Sequence, residues 1–142
     1  MIKTPDRLYI DKDDKKYYDS LAKEIFLDKE RKDQFLFALA IGFKNGINQP
    51  IKSREGFIRT EYLNSEDITL LNSIAIYHSG SSQILCEPNE IYKIAEEYAH
   101  AGIKIIFDEA TTNQPGSIFK KFELELMEGI KAINLEWNYK MI

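Results

Sequence analysis

The residue types best suited to metal or nucleophilic chemistry are few in this chain: His78, His100 and one cysteine, Cys86. A structural or catalytic metal needs several such side chains converging, which a sequence announces as ligands paired a few residues apart. Neither histidine has a second His or Cys at that spacing, so no metal and no cofactor is expected. His78 precedes Ser79, but neighbours on a helix point about 100° apart, and no G-x-S-x-G elbow occurs to expose a serine nucleophile. Glu96–Glu97 and the pair Glu123 and Glu125 offer carboxylates for acid–base or two-metal work. Spacings of one and two spread them around a helix, which reads as a solvated face, and His100 reads as a surface or interface residue. Gly42-Phe43-Lys44 and Gly46 lack the spacing and the terminal Ser or Thr of a phosphate-binding loop. No residue pattern marks the chain as an enzyme.

The strongest chemical signal is electrostatic. Across residues 29–59, seven basic side chains stand against three acidic ones, a local balance of +4 in a chain whose net charge is −4. Residues 60–142 carry thirteen acidic side chains against six basic ones. Lys44, Lys52, Arg54 and Arg59, with Phe57 among them, fall around one expected loop and strand, where flexible cations can reach phosphate oxygens. These four are the candidate nucleic-acid-binding residues. The competing reading pairs Arg59 with an acid across a sheet and leaves the lysines to keep a loop soluble.

The elements that must position these residues are organised around Phe35–Phe43, nine residues without a charged side chain. A helix of 3.6 residues per turn shows apolar surface all round over such a run and must be surrounded. It falls well short of the roughly 20 apolar residues that span a bilayer, so the surrounding is protein. With 142 residues, one domain covering residues 1–142 is the default, and its single core can bury about two thirds of the unfolded surface. A single cysteine excludes an internal disulfide and fits a reduced, cytoplasmic setting. The N-terminal residues lack the apolar run of a secretory signal, and no stretch is long enough to span a membrane.

A short edge strand is expected at residues 7–10, then a helix over 15–27 capped by Asp13 or Asp14. The apolar helix follows from a cap at Asp28 and stops at Gly46. Residues 47–56 read as a loop, and 57–63 alternate as a half-buried strand, placing Ile58, Thr60 and Tyr62 on one face and residues 7–10 or 50–52 as its partner. Ser65 opens a helix that ends at Ser79–Ser82; Pro88 opens another with the stripe Ile91, Ile94, Ala95, Tyr98, Ala101, Ile105. Ala95, Ala99 and Gly102 form a strip of small residues on which the apolar helix is expected to pack. Residues 111–116 read as a turn, Ser117 as the start of a last helix through Phe119, Phe122, Leu126, Ile130 and Ile133, and residues 135–142 as a tail able to dock. The fold class is therefore mainly α: a compact bundle of about five helices around a central apolar helix, with a small two-stranded β element.

Phe35–Gly46, the Ile58-Arg59 strand after a basic loop, Ile74-Ala75, and Glu96-Glu97-Tyr98-Ala99-His100-Ala101-Gly102-Ile103 together resemble the small accessory proteins encoded with bacterial DNA phosphorothioation (dnd) clusters. The likeness covers roughly residues 30–110, and its motifs are hydrophobic and structural. It implies a role in DNA modification or phage restriction, and with the basic 44–59 segment the expectation is a non-enzymatic accessory subunit of such a system, with its other proteins as partners and DNA as a further contact through that segment. It supplies no catalytic residues. The alternatives are a free-standing DNA-binding regulator using the same segment, and a small enzyme assembling carboxylates from separate helices.

Overall fold

A computed structural model describes residues 4–112, Leu124 and 127–131. Strand β1 (Arg7–Asp11) passes through a single 3-10 turn (Lys12–Asp14) into helix α1 (Lys15–Ala22). Helix α2 (Arg31–Lys44), strand β2 (Arg54–Arg59), helix α3 (Ser65–Ser79) and helix α4 (Pro88–Thr112) follow, with 3-10 turns at Thr60–Tyr62 and Ser82–Cys86. Helical residues recur at Leu124 and 127–131. Among the described residues, four α-helices, the further helical residues at Leu124 and 127–131, and one small antiparallel sheet make the mainly helical bundle that the apolar periodicity predicts.

Helix α2 carries the apolar run, and none of Phe35–Phe43 is exposed. Phe35, Leu39 and Ile41 are fully buried, each contributing about 1.5–3 kcal/mol of burial energy. The face they meet most extensively is α4. The strip of small residues explains how closely the two helices approach. A Cβ built on Gly42 would overlap the Tyr98 carbonyl and sit 3.1 Å from Gly102 N, and one built on Gly102 would overlap the Ala38 carbonyl. Backbone meets backbone there. Glycine inside a helix costs about 1 kcal/mol relative to Ala, and this contact is what that cost secures.

The helix ends follow local chemistry. Asn64 and Asp67 form a reciprocal capping box at the start of α3, each side chain accepting from the other's backbone N–H at 2.8–2.9 Å. Helix α3 closes on Gly80, and α2 is followed by Gly46, both at positive φ (76° and 67°) that only glycine adopts without strain. Lys32 and Asp67, 3.0 Å apart, tie α2 to the first turn of α3.

Strand β1 pairs antiparallel with β2, although the two are joined by more than forty residues containing two helices. Leu8 faces Ile58 and Tyr9 faces Gly56, so Phe57 is the extra residue of a β-bulge. Leu8, Ile10 and Ile58 point into the core. Phe57 turns toward Tyr18, ring centroids 4.5 Å apart, and the Arg31 guanidinium lies 5.0 Å from its ring.

Several boundaries differ from the sequence reading. Helix α1 stops at Ala22 and turns occupy residues 23–28, because Ile25 and Phe26 go into the core. Asp14 occupies the α1 cap position without bonding a backbone N–H; Asp11 caps the preceding 3-10 turn instead. Strand β2 starts at Arg54 and ends at Arg59, so Thr60 and Tyr62 do not continue its face: the Thr60 hydroxyl bonds Pro5 O, and Tyr62 is exposed. Helix α4 runs through Thr112, so Thr111 and Thr112, the first two residues of the turn expected over 111–116, are helical. The rest of that turn, the start of the last helix at Ser117 and the tail at 135–142 lie outside the described residues.

Candidate functional site

The four candidate cations are all exposed, and the fold does not gather them at one point. Lys44 ends α2 and pairs with Glu128 at 3.4 Å. Arg54 and Arg59 stand at opposite ends of β2, roughly 16 Å apart at about 3.3 Å per residue. Arg59 pairs with Glu61 at 3.1 Å. Lys52, in the loop before β2, gives its backbone N–H to Asp11 Oδ2 at 2.9 Å while its side chain is exposed. Much of the remaining positive charge of residues 29–59 serves packing: Lys32 pairs with Asp67, and Arg31 lies over Phe57.

Arg54 differs from the others in being built into a cleft. Its guanidinium carbon lies over the Tyr9 ring, 4.0 Å from the centroid, and its Nη2 is 3.4 Å from Glu96 Oε1. Glu96 Oε2 accepts the backbone N–H of Tyr9 at 2.9 Å, taking up a donor that sits at the bulge. Around this triad is a cleft of about 740 Å³ between the β1–β2 ribbon and the first turns of α4, within the usual size of a small-ligand site. Glu96 is 3% exposed. Burial pushes its carboxyl up from 4.5 to about 7, against the opposing pull of the Tyr9 N–H and the Arg54 charge. Near neutral pH such a group exists in both protonation states and can donate or accept a hydrogen bond. The solvated-face reading of Glu96–Glu97 is thus corrected at Glu96: β1 covers the face of α4 that carries it. Glu123 and Glu125 lie outside the described residues.

A second polar cluster lies one turn further along α4. His100 is 7% exposed, not a surface residue as its sequence context suggests. Its Nδ1 is 2.5 Å from Asp14 Oδ2 and its Nε2 is 4.0 Å from Asp11 Oδ2. Burial pushes the Asp11 carboxyl up, but the backbone N–H groups of Asp13, Lys52 and Ser53 and the neighbouring His100 outweigh it and hold Asp11 below its ordinary value. The cluster bonds β1, the loop before β2 and the start of α1 to α4. Its geometry is that of a clamp. Burial, with Asp14 alongside, also keeps the Tyr18 phenol well above its usual range. His78 and Ser79 do not cooperate: His78 Nδ1 meets the Tyr98 hydroxyl at 2.7 Å, while Ser79 Oγ donates to Ser81 O at 3.0 Å. Among the described residues no group of three or more His, Cys, Asp or Glu is placed to hold a metal ion. No described helix is long and apolar enough to cross a membrane.

Compared with known protein families, residues 7–129 match the family model of DNA sulphur modification system-associated protein 4, a dnd-associated family. The chain belongs to that family. No curated protein and no solved structure matches the chain. The match extends beyond the 30–110 span of the resemblance at both ends, taking in β1, α1 and the described residues 127–129.

For this member of the dnd-associated family, the sequence offers Arg54 as a candidate cation without the residues that hold it. Glu96 and His100 carry one signal: Tyr92, Glu96, His100 and Ile103 recur at steps of three and four along α4, and all four are buried. A polar side chain on such a stripe needs an internal partner. The partners, Tyr9 and Asp14, lie 87 and 86 residues away.

Proposed function

We propose that this chain is a non-enzymatic accessory subunit of a DNA sulphur modification system, working in the cytoplasm in phage defence through contacts with the system's other proteins and with DNA. The family match over residues 7–129 carries this reading. The non-enzymatic part is supported by how the buried titratable groups are used: Asp11, Asp14 and His100 bond elements together in the interior. Of the candidate nucleic-acid residues Lys44, Lys52, Arg54 and Arg59, the reading rests chiefly on Lys52 and Arg54, which are neighbours at the mouth of β2 and both exposed. Lys44 and Arg59 are each paired with an exposed acid. Exposed pairs of this kind are worth only about 0–1 kcal/mol, so a phosphate can displace the acid.

Affinity capture of the tagged chain from its native host, followed by mass spectrometry, tests the assignment. Other proteins of the DNA sulphur modification system are expected to co-purify, and their absence from the captured material would remove its main support. The DNA contact is tested by titration at two salt concentrations, because affinity resting on phosphates falls as salt rises. Charge reversal at Lys52 and Arg54 is expected to weaken it. Unchanged affinity would exclude this segment.

A further inference from the structure

We infer that the cleft between the β1–β2 ribbon and the N-terminal turns of α4 binds a nucleotide through a single phosphate, held by Arg54 and Lys93, with the base on the side formed by Tyr9 and Pro50 and its polar edge met by Asn89. The inference rests on the proposed role only for DNA as the source of that nucleotide. Arg54 is the organising residue. Its guanidinium carbon sits 4.0 Å from the centroid of Tyr9 and its Nη2 is anchored to the buried Glu96 carboxyl, yet its side chain is 59% exposed. The planar fork is therefore oriented before any ligand arrives and keeps N–H donors for the two oxygens of a phosphate. Lys93, exposed on the opposite wall, supplies a second charge without a fixed geometry. Tyr9 and Pro50 give the cleft an apolar side on which a planar ring can lie. Asn89, at the start of α4, carries an amide donor and acceptor side by side, the pairing that reads adenine.

The acids on the same walls set the limit on the ligand. Glu90 and Glu97 also line the cleft and would repel a second and third phosphate. A duplex backbone, with its run of charges, is therefore a poor occupant. A mononucleotide, or the phosphorylated end of a strand, is a good one. Both sources share the same chemistry: one phosphate and one base.

The test is a binding titration of the full chain at low salt with three probes: deoxyadenosine 5′-monophosphate, a 12-nucleotide single strand with a 5′-phosphate, and the same strand without it. The mononucleotide or the phosphorylated strand is expected to bind, and removal of the 5′-phosphate to weaken the strand at least tenfold. Binding of both probes with similar affinity assigns the cleft to a single nucleotide wherever it comes from; binding of the phosphorylated strand alone assigns it to a strand end. Arg54→Lys, which keeps the charge but loses the fork, and Lys93→Glu are each expected to weaken binding about tenfold. Lys131→Glu, an equal change of charge outside the cleft, should leave it unaltered. Equal losses from Lys93→Glu and Lys131→Glu, indifference to the 5′-phosphate, or no binding to any probe overturns the inference. Capture of the Lys93→Glu protein with its partners from the host is read separately, so an empty cleft and a wrong system assignment give different results.

Discussion

Replacing Glu96 by Gln isolates the energetic cost of keeping a carboxylate under the β1–β2 ribbon. Inside the fold burial raises this carboxyl from 4.5 to about 7. At about 1.4 kcal/mol per pH unit, the folded protein disfavours the ionised form by roughly 3 kcal/mol relative to the unfolded chain. Between pH 4.5 and 7 the native state binds more protons at this site than the unfolded state, so the stability contributed by Glu96 is complete below pH 4.5 and declines as pH rises through 7. Gln is a permanent stand-in for the protonated acid: its carbonyl can accept from Tyr9 N–H, while its amide faces Arg54 at a cost of about 1 kcal/mol that does not change with pH. The stability of Glu96→Gln minus that of the parent is therefore expected to rise by about 3 kcal/mol from pH 4.5 to pH 8. Urea unfolding followed by far-ultraviolet circular dichroism at pH 4.5, 6 and 8 measures it. Asp11 does not confuse the result, since its lowered carboxyl contributes stability that is lost only as pH falls below its ordinary 3.8. A difference that stays flat with pH, or falls, would refute the reasoning, because it would mean that Arg54 and Tyr9 N–H fully compensate the desolvation.

Four other outcomes are expected. Gly102→Ala should lower stability by about 3 kcal/mol or more despite the better helix propensity of Ala, because its methyl meets the Ala38 backbone rather than a side chain able to move; equal melting temperatures would contradict the close α2–α4 contact. His100→Ala should cost about 3–5 kcal/mol in urea unfolding, since Asp14 Oδ2 loses its partner while Oδ1 has none among the described residues, and a loss under 1 kcal/mol would show that the pair is not a clamp. Asn64→Ala should cost about 1 kcal/mol by removing the capping box of α3, read as a thermal melt. Arg59→Ala should change stability by less than about 0.5 kcal/mol, as its pairing with Glu61 is exposed on both sides.

What was legible in the sequence was whatever depends on local periodicity. The uninterrupted apolar run at 35–43 required a surrounded helix, and Ala95, Ala99 and Gly102 required a close neighbour; the two requirements meet in the Gly42–Gly102 contact. Strand β2 also pairs with the expected partner at residues 7–10, though it ends at Arg59 and a 3-10 turn takes Thr60 and Tyr62 off its expected face. The polar interior was illegible for a different reason. Glu96 next to Glu97, and His100 after Ala99, look like solvated positions until a second layer is known to cover them, and that layer comes from β1 and the α1 start, more than eighty residues earlier. Charge density was also misleading in one respect. A count of cations cannot tell Arg54, oriented by a ring and a buried acid, from Arg59, whose pairing with Glu61 is exposed.

That distinction follows from two registers that are set independently. The position of Arg54 is fixed by how β2 pairs with β1, including the bulge that shifts Tyr9 opposite Gly56. The position of Glu96 is fixed by the register of α4, which the glycine contact with α2 pins. The Tyr9 N–H to Glu96 bond joins the two. The direction of the Arg54 fork is therefore a property of the whole ribbon–helix junction and not of one rotamer. Deleting Phe57, the extra residue of the bulge, would restore regular pairing, move Tyr9 off Glu96 and turn the guanidinium away from the cleft, leaving the net charge of the protein unchanged.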